Sequence, residues 1–167
     1  MNFGDPTDLF FDQLRDLYSA KAQVILTLPE LAEYASSSDL RSLLLSHEHE
    51  SLLHKKTIAA VFERHGADPD GEICEAIRGL IKGGNAHLAK IDNPQVRDLL
   101  LVAHCNRMEH YEIAAYGFTV SLAQHLGFSK DAYDLAEMLG EEQEMTRHLA
   151  KVAASIFGER IPAPDHN

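Results

Sequence analysis

Basic residues are in short supply: 15 Lys and Arg face 26 Asp and Glu across 167 residues, a formal charge of −11. Binding a nucleic-acid backbone or an anionic lipid surface requires clustered positive charge, so no nucleic acid and no membrane partner is expected. Cysteine occurs twice, at Cys74 and Cys105, without CxxC spacing, which argues against a disulfide framework and a thiolate zinc site. No uncharged apolar run approaches the roughly 18 to 20 residues that span a bilayer. Residues 1–12 hold Asp5, Asp8 and Asp12 and no Lys or Arg, unlike the basic start of a signal peptide, so a soluble, cytoplasmic protein is expected. Tryptophan is absent, and the six Pro and ten Gly sit at punctuation points.

Between those points lie Leu, Ala, Glu and Lys with apolar residues every three to four positions, an all-α pattern. Asp5 followed by Pro6 supplies a cap and a first-turn proline for a helix reaching about residue 36, with a bend expected at Pro29. A second helix starts at Ser37 or Ser38 and runs to His65, where Gly66 stops it and Asp68-Pro69-Asp70-Gly71 turns the chain. Residues 72–91 read as a weaker helix, broken at Gly83-Gly84, that crosses over to a second hairpin. Asn93-Pro94 repeats the cap-plus-proline signal for a helix to about Leu126, Gly127 stops it, and Ser129 caps a last helix ending near Gly158. Residues 159–167 are expected to fray. At about 150 residues per domain, residues 1–167 are one domain with a core over about 7–158. The expected fold is a four-helix bundle of two antiparallel hairpins joined by a short crossover helix.

Ten His in so acidic a chain invite a search for ligands. An inward seam alternates steps of three and four. On the first helix it reads Phe10, Leu14, Leu17, Lys21, Val24, Leu28, Leu31, and on the second Leu40, Leu43 or Leu44, His47, Glu50, His54, Ile58, Val61, His65. On the third it reads Leu101 or Val102, Cys105, Met108 or Glu109, Glu112, Tyr116, Val120, Ala123, and on the fourth Leu135, Met138, Glu142, Met145, Leu149, Val152, Ile156. Each helix thus carries an ionisable group near mid-length, where an unpaired buried charge costs several kcal/mol. Such groups must neutralise one another or a metal. Carboxylates from separate helices, with an imidazole one turn from one of them, are donors suited to iron or manganese. The candidate ligands are Glu50, His54, Glu109, Glu112 and Glu142.

The usual pattern for such a site is Glu-x-x-His, whereas Glu50 and His54 are four apart, a spacing that still shares a face. Glu109 is read as a ligand or an interhelical hydrogen-bond partner. His47 supports the ligands or is a satisfied core histidine, and Tyr116 is a redox-active or supporting phenol or simply packed core. Either Glu141 or Glu142 faces inward. Lys21 either lays its stem on apolar surface with its head in water or carries its charge into the core.

Leu14-Arg-Asp-Leu-Tyr-Ser-Ala20 and Glu109-His-Tyr-Glu-Ile-Ala-Ala-Tyr-Gly117 resemble the bacterial YciE/YciF-type ferritin-like family. His47 to Glu50 resembles its His-x-Glu-Glu stretch and Glu141-Glu142-Gln143 its Glu-Glu-Lys stretch, so the resemblance covers roughly residues 9–152. It implies a ferritin-like bundle, often dimeric, associated with bacterial stress responses and able to hold a dinuclear metal site. One departure is chemically large: Lys21 stands where that family usually has Glu. A protonated amine cannot ligate. Either the site keeps metal without a first-helix ligand, or the ammonium neutralises Glu50, Glu112 and Glu142 in the metal's place. The first alternative gives iron oxidation or peroxide removal at an iron or manganese site; the second gives a non-catalytic structural or stress protein without a cofactor. A homodimer is expected, because a bundle hairpin of this length commonly buries its remaining apolar face in a partner.

Overall fold

The computed structural model describes residues 4–158, whose regular structure is five helices: α1 (Pro6–Tyr34), α2 (Ser38–Arg64), α3 (Glu75–Leu88), α4 (Pro94–His125) and α5 (Ser129–Gly158). Local chemistry sets most boundaries. The Asp5 carboxylate accepts from the N–H groups of Thr7 and Asp8 at 2.7 and 3.1 Å, and Pro6 occupies the first turn, where its missing donor costs nothing. Asn93 repeats the device for α4. α1 continues through Pro29 to Tyr34. The Ser37 hydroxyl caps α2, and Asp98 of α4 holds the approach to it, accepting from Ser36 and Ser37 N–H at 2.8 and 2.7 Å. Gly66 and Gly127, at φ 60° and 75°, take the left-handed conformation that ends α2 and α4. Ser129 is the first residue of α5 rather than its cap. The fray expected over residues 159–167 lies outside the described residues.

The break expected at Gly83-Gly84 does not occur: α3 runs through both, starting at Glu75 rather than Glu72. Gly84 serves packing instead. A Cβ there would lie 2.0 Å from the His104 imidazole, so its absence lets α4 press His104 onto the α3 backbone.

α1 pairs with α2 and α4 with α5, α1 also lies against α4 and α2 against α5, and α3 packs over α1 and α4. Phe10, Phe62, Val120 and Ala132 share one apolar cluster, which puts the start of α1 and α5 beside the end of α2 and α4. The second cluster, with Val24, Leu28, Leu44, Leu101, Met108 and Leu149, fills the other end. A layer of buried Lys, His and Glu lies between the two. This is the hairpin–crossover–hairpin arrangement the spacing predicts. Among the described residues no helix is long and apolar enough to cross a membrane.

Candidate metal centre

Four helices supply the polar layer: Lys21 from α1, His47 and His54 from α2, Glu109 and Glu112 from α4, and Glu142 from α5. One ligand atom from each of His47, Glu109, Glu112 and Glu142 lies within 4.8 Å of the others, and all four residues are buried. Lys21 Nζ donates to Glu112 Oε2 at 3.0 Å and also to Glu142 Oε1. His54 Nδ1 is 2.9 Å from the same Glu142 oxygen, and its Nε2 is 2.5 Å from Glu141 Oε2. His47 Nε2 lies 3.1 Å from Glu109 Oε1 and 3.6 Å from Glu142 Oε2, while its Nδ1 lies 3.5 Å from Glu50 Oε2. Glu142 is therefore the hub, with one oxygen on Lys21 and His54 and the other toward His47.

Both nitrogens of His47, both oxygens of Glu109, Glu112 Oε1 and Glu142 Oε2 are buried without a hydrogen bond. Buried imidazole and carboxylate atoms that converge in this way form a donor set suited to iron or manganese, so the residues present fit such an ion.

The electrostatics are coupled through the same contacts. Burial opposes the Lys21 charge, but Glu112 and Glu142 outweigh it and raise the ammonium pKa well above the ordinary lysine value. Burial opposes the charge on His47 too, yet Glu109, helped by Glu50 and Glu142, raises its pKa to about 10. Glu142 stays well below the usual carboxylate range despite burial, held there by Lys21, His54 and His47. Burial pushes Glu109 up against the pull of His47, and pushes Glu112 to about 7 against the pull of Lys21.

A cleft of about 330 Å³ between α2 and α5 approaches this layer from outside. Buried His47 and Met145 form its floor, and Glu50, Glu141, Glu144 and His148 line its more exposed walls.

The structure brings Glu109, Glu112 and Glu142 together, each 0 % exposed. His47 completes that group, and buried His54 stands beside it as a partner of Glu142. Glu50 is a correction: its side chain is 46 % exposed, and Ser51 takes the inward position on α2. From His47 the buried face advances by four residues rather than three. Lys21 is wholly buried, so of its two alternatives the core position is the one adopted. Glu142 faces inward, and Glu141 is 58 % exposed although one of its oxygens reaches His54. Tyr116 is packed core beside the layer, its ring centre 5.9 Å from Lys21 Nζ and its hydroxyl 3.9 Å from Met138 Sδ.

Sequence reasoning missed a chain of polar groups at the junction of α1, α3 and α4. The Tyr111 hydroxyl donates to Asp16 at 2.5 Å and lies 3.0 Å from the Cys74 thiol. Its residues fall beside the seams rather than on them, so periodicity carries no signal for it.

The family described as Domain of unknown function (DUF892) matches residues 5–161. The chain is 34 % identical to Protein YciF of Escherichia coli (strain K12) over 161 residues, 96 % of this chain and 97 % of that protein. The crystal structure of the E. coli stress protein YciF superposes with a TM-score of 0.90 at 31 % identity, covering 95 % of this chain and 100 % of the other. YcfI of Rhodopseudomonas palustris, provisionally described as a structural protein, gives a TM-score of 0.88 at 35 % identity over 91 % and 97 % of the two chains. A dodecameric thioferritin from Bacteroides fragilis shares the fold alone, with a TM-score of 0.69 at 14 % identity over 92 % and 89 % of the two chains. Together these establish a ferritin-like helical bundle.

Proposed function

The chain belongs to the DUF892 family, and we propose that its ferritin-like bundle holds one divalent cation, iron or manganese, in the buried polar layer rather than a dinuclear pair. The ligands are His47, Glu109, Glu112 and Glu142, with Glu50 and His54 outside the set. The observation that carries this reading is the convergence of those four donors within 4.8 Å of one another, several of their buried atoms lacking a hydrogen bond.

Lys21 sets the number. Three core glutamates and one ammonium, with His47 neutral as a ligand, leave a net charge of −2, which a single divalent cation balances. A second ion would make the buried layer positive, which burial penalises heavily. It would also need the space that Lys21 Nζ fills between Glu112 and Glu142. The protonated His47 must release its proton to ligate, so binding is coupled to proton release.

Iron or manganese, when bound, supplies a centre able to change oxidation state, which suits iron oxidation or peroxide removal. Around it Lys21 offsets carboxylate charge, His54 fixes the orientation of Glu142, and Tyr116 closes the apolar side. The stress-protein description of YciF supports a role of this kind in a bacterial stress response. The test is manganese titration of metal-free protein by calorimetry, followed by oxidase and peroxidase assays of the iron-loaded form. Saturation near one ion per chain supports the reading.

A second reading is favoured by the buried pairing of Lys21 with both Glu112 and Glu142. Here Lys21 and protonated His47 neutralise the carboxylates themselves, no cofactor is needed, and the bundle is a non-catalytic structural or stress protein. The same titration then shows no binding. A homodimer in the cytoplasm belongs to the proposal in either case, supported by exposed Leu45 and Leu52, two turns apart on α2. Sedimentation at twice the chain mass is the expected result.

A further inference from the structure

We infer that the cleft between α2 and α5 is the route by which a divalent cation reaches the core, with acidic walls that gather the ion and His47 as the side chain that passes it inward. The inference rests on the reading of the buried layer as a cation site. Three observations favour this side of the bundle. Apolar clusters seal both ends of the layer, with Phe10, Leu14 and Phe62 at one and Leu28, Leu44 and Leu149 at the other. The α1 side is filled by the wholly buried Lys21, and α3 covers part of that side as well. Toward α2 and α5 the described surface opens into a cleft lined by Glu50, Glu141 and Glu144 that reaches His47 of the core group.

The second feature is His47 itself. It is 1 % exposed yet lines the cleft, and neither ring nitrogen makes a hydrogen bond. Nδ1 faces half-exposed Glu50 at 3.5 Å, and Nε2 faces buried Glu109 at 3.1 Å and Glu142 at 3.6 Å. The imidazole therefore spans the wall between cleft and core with one nitrogen on each side. An ion gathered at Glu50 stands beside the imidazole on the cleft side, with the buried carboxylates Glu109 and Glu142 beyond it. Glu144 is shared with Arg147 and His148, and Glu141 with His54, so Glu50 is the acid left nearest to His47.

A second acidic cleft, of about 300 Å³ with Asp12, Asp16, Glu72 and Glu75, offers an internal comparison. There Asp16 is taken by the Tyr111 hydroxyl, and no core-group residue lines the cleft.

The experiment is stopped-flow uptake of Co²⁺ by metal-free protein, followed by absorbance of the bound ion at low and high salt. Glu50→Gln with Glu144→Gln should slow uptake about tenfold at low salt and flatten its salt dependence, while the final ions bound per chain stay unchanged. Asp12→Asn with Glu72→Gln should leave the rate unchanged, and thermal melts establish that both variants fold. Uptake by the first variant at the unaltered rate overturns the route while leaving the core site standing. A fall in its final stoichiometry also overturns the route, since it makes Glu50 or Glu144 a ligand. No uptake by the unaltered protein overturns route and core site together.

Discussion

The Lys21 ammonium and the Glu112 carboxylate meet at 3.0 Å between α1 and α4, with neither side chain reaching solvent. Glu142 shares the same ammonium from α5, so one cation ties three helices at the level of the polar layer. Removing one partner of a buried pair leaves the other charge uncompensated, at a cost of ~3–5 kcal/mol. Lys21→Met is accordingly expected to destabilise the metal-free protein by about 3 kcal/mol. Lys21→Glu should destabilise it at least as much and raise manganese bound at saturation from one ion to two. Urea unfolding and metal analysis of the two variants check this; an unchanged unfolding midpoint in Lys21→Met would mean the ammonium neutralises nothing.

The pH dependence of the metal-free protein follows from His47. Its folded-state pKa is raised from 6.5 to about 10, burial opposing the charge and Glu109 outweighing burial. A raised value means the folded chain holds the proton more tightly than the unfolded one. The stabilisation is therefore complete below about 6.5 and is lost as pH rises through about 10. Glu112, pushed from 4.5 to about 7 by burial, acts in the same direction at lower pH. Urea midpoints should fall across this window, and His47→Gln should flatten the alkaline part. Metal affinity should run the other way and rise with pH, because His47 must shed its proton to ligate.

Adjacent glycines of α3 are expected to respond oppositely to the same substitution. At Gly83 an added Cβ meets nothing within 4 Å, so Gly83→Ala should stabilise by up to about 1 kcal/mol through helix propensity. At Gly84 it would fall 2.0 Å from His104 ring atoms, so Gly84→Ala should destabilise by ~1–3 kcal/mol through overpacking. Thermal melts of the two variants measure the difference directly.

Much of the fold is written in local signals: Asp5-Pro6, Asn93-Pro94, Gly66 and Gly127 bound the long helices where caps and left-handed residues place them. Gly83-Gly84 misleads because a helix breaker and a site of close helix packing use the same residue, and only the position of His104 tells them apart. The polar layer is legible for a related reason, since charges on an apolar seam stand out. Within it, register is harder. A repeat of 3.6 permits a step of three or four after His47, and apolar side chains normally decide between them. At this level Glu50 and Ser51 are both polar, so the decision passes to tertiary packing, which turns Ser51 inward. Seam positions name Glu112 and Glu142 among the partners open to Lys21, and the structure pairs it with both, while the third, Glu50, turns outward with the register of α2.

The central claim is that Lys21 and three core glutamates leave room and charge for one divalent ion. Elemental analysis of protein grown with iron and manganese and purified without chelator tests it most directly. The account predicts about one ion per chain, lost when Glu109 or Glu142 is changed to Gln and retained in Glu50→Gln. Two ions per chain in the unaltered protein, or none, would contradict it.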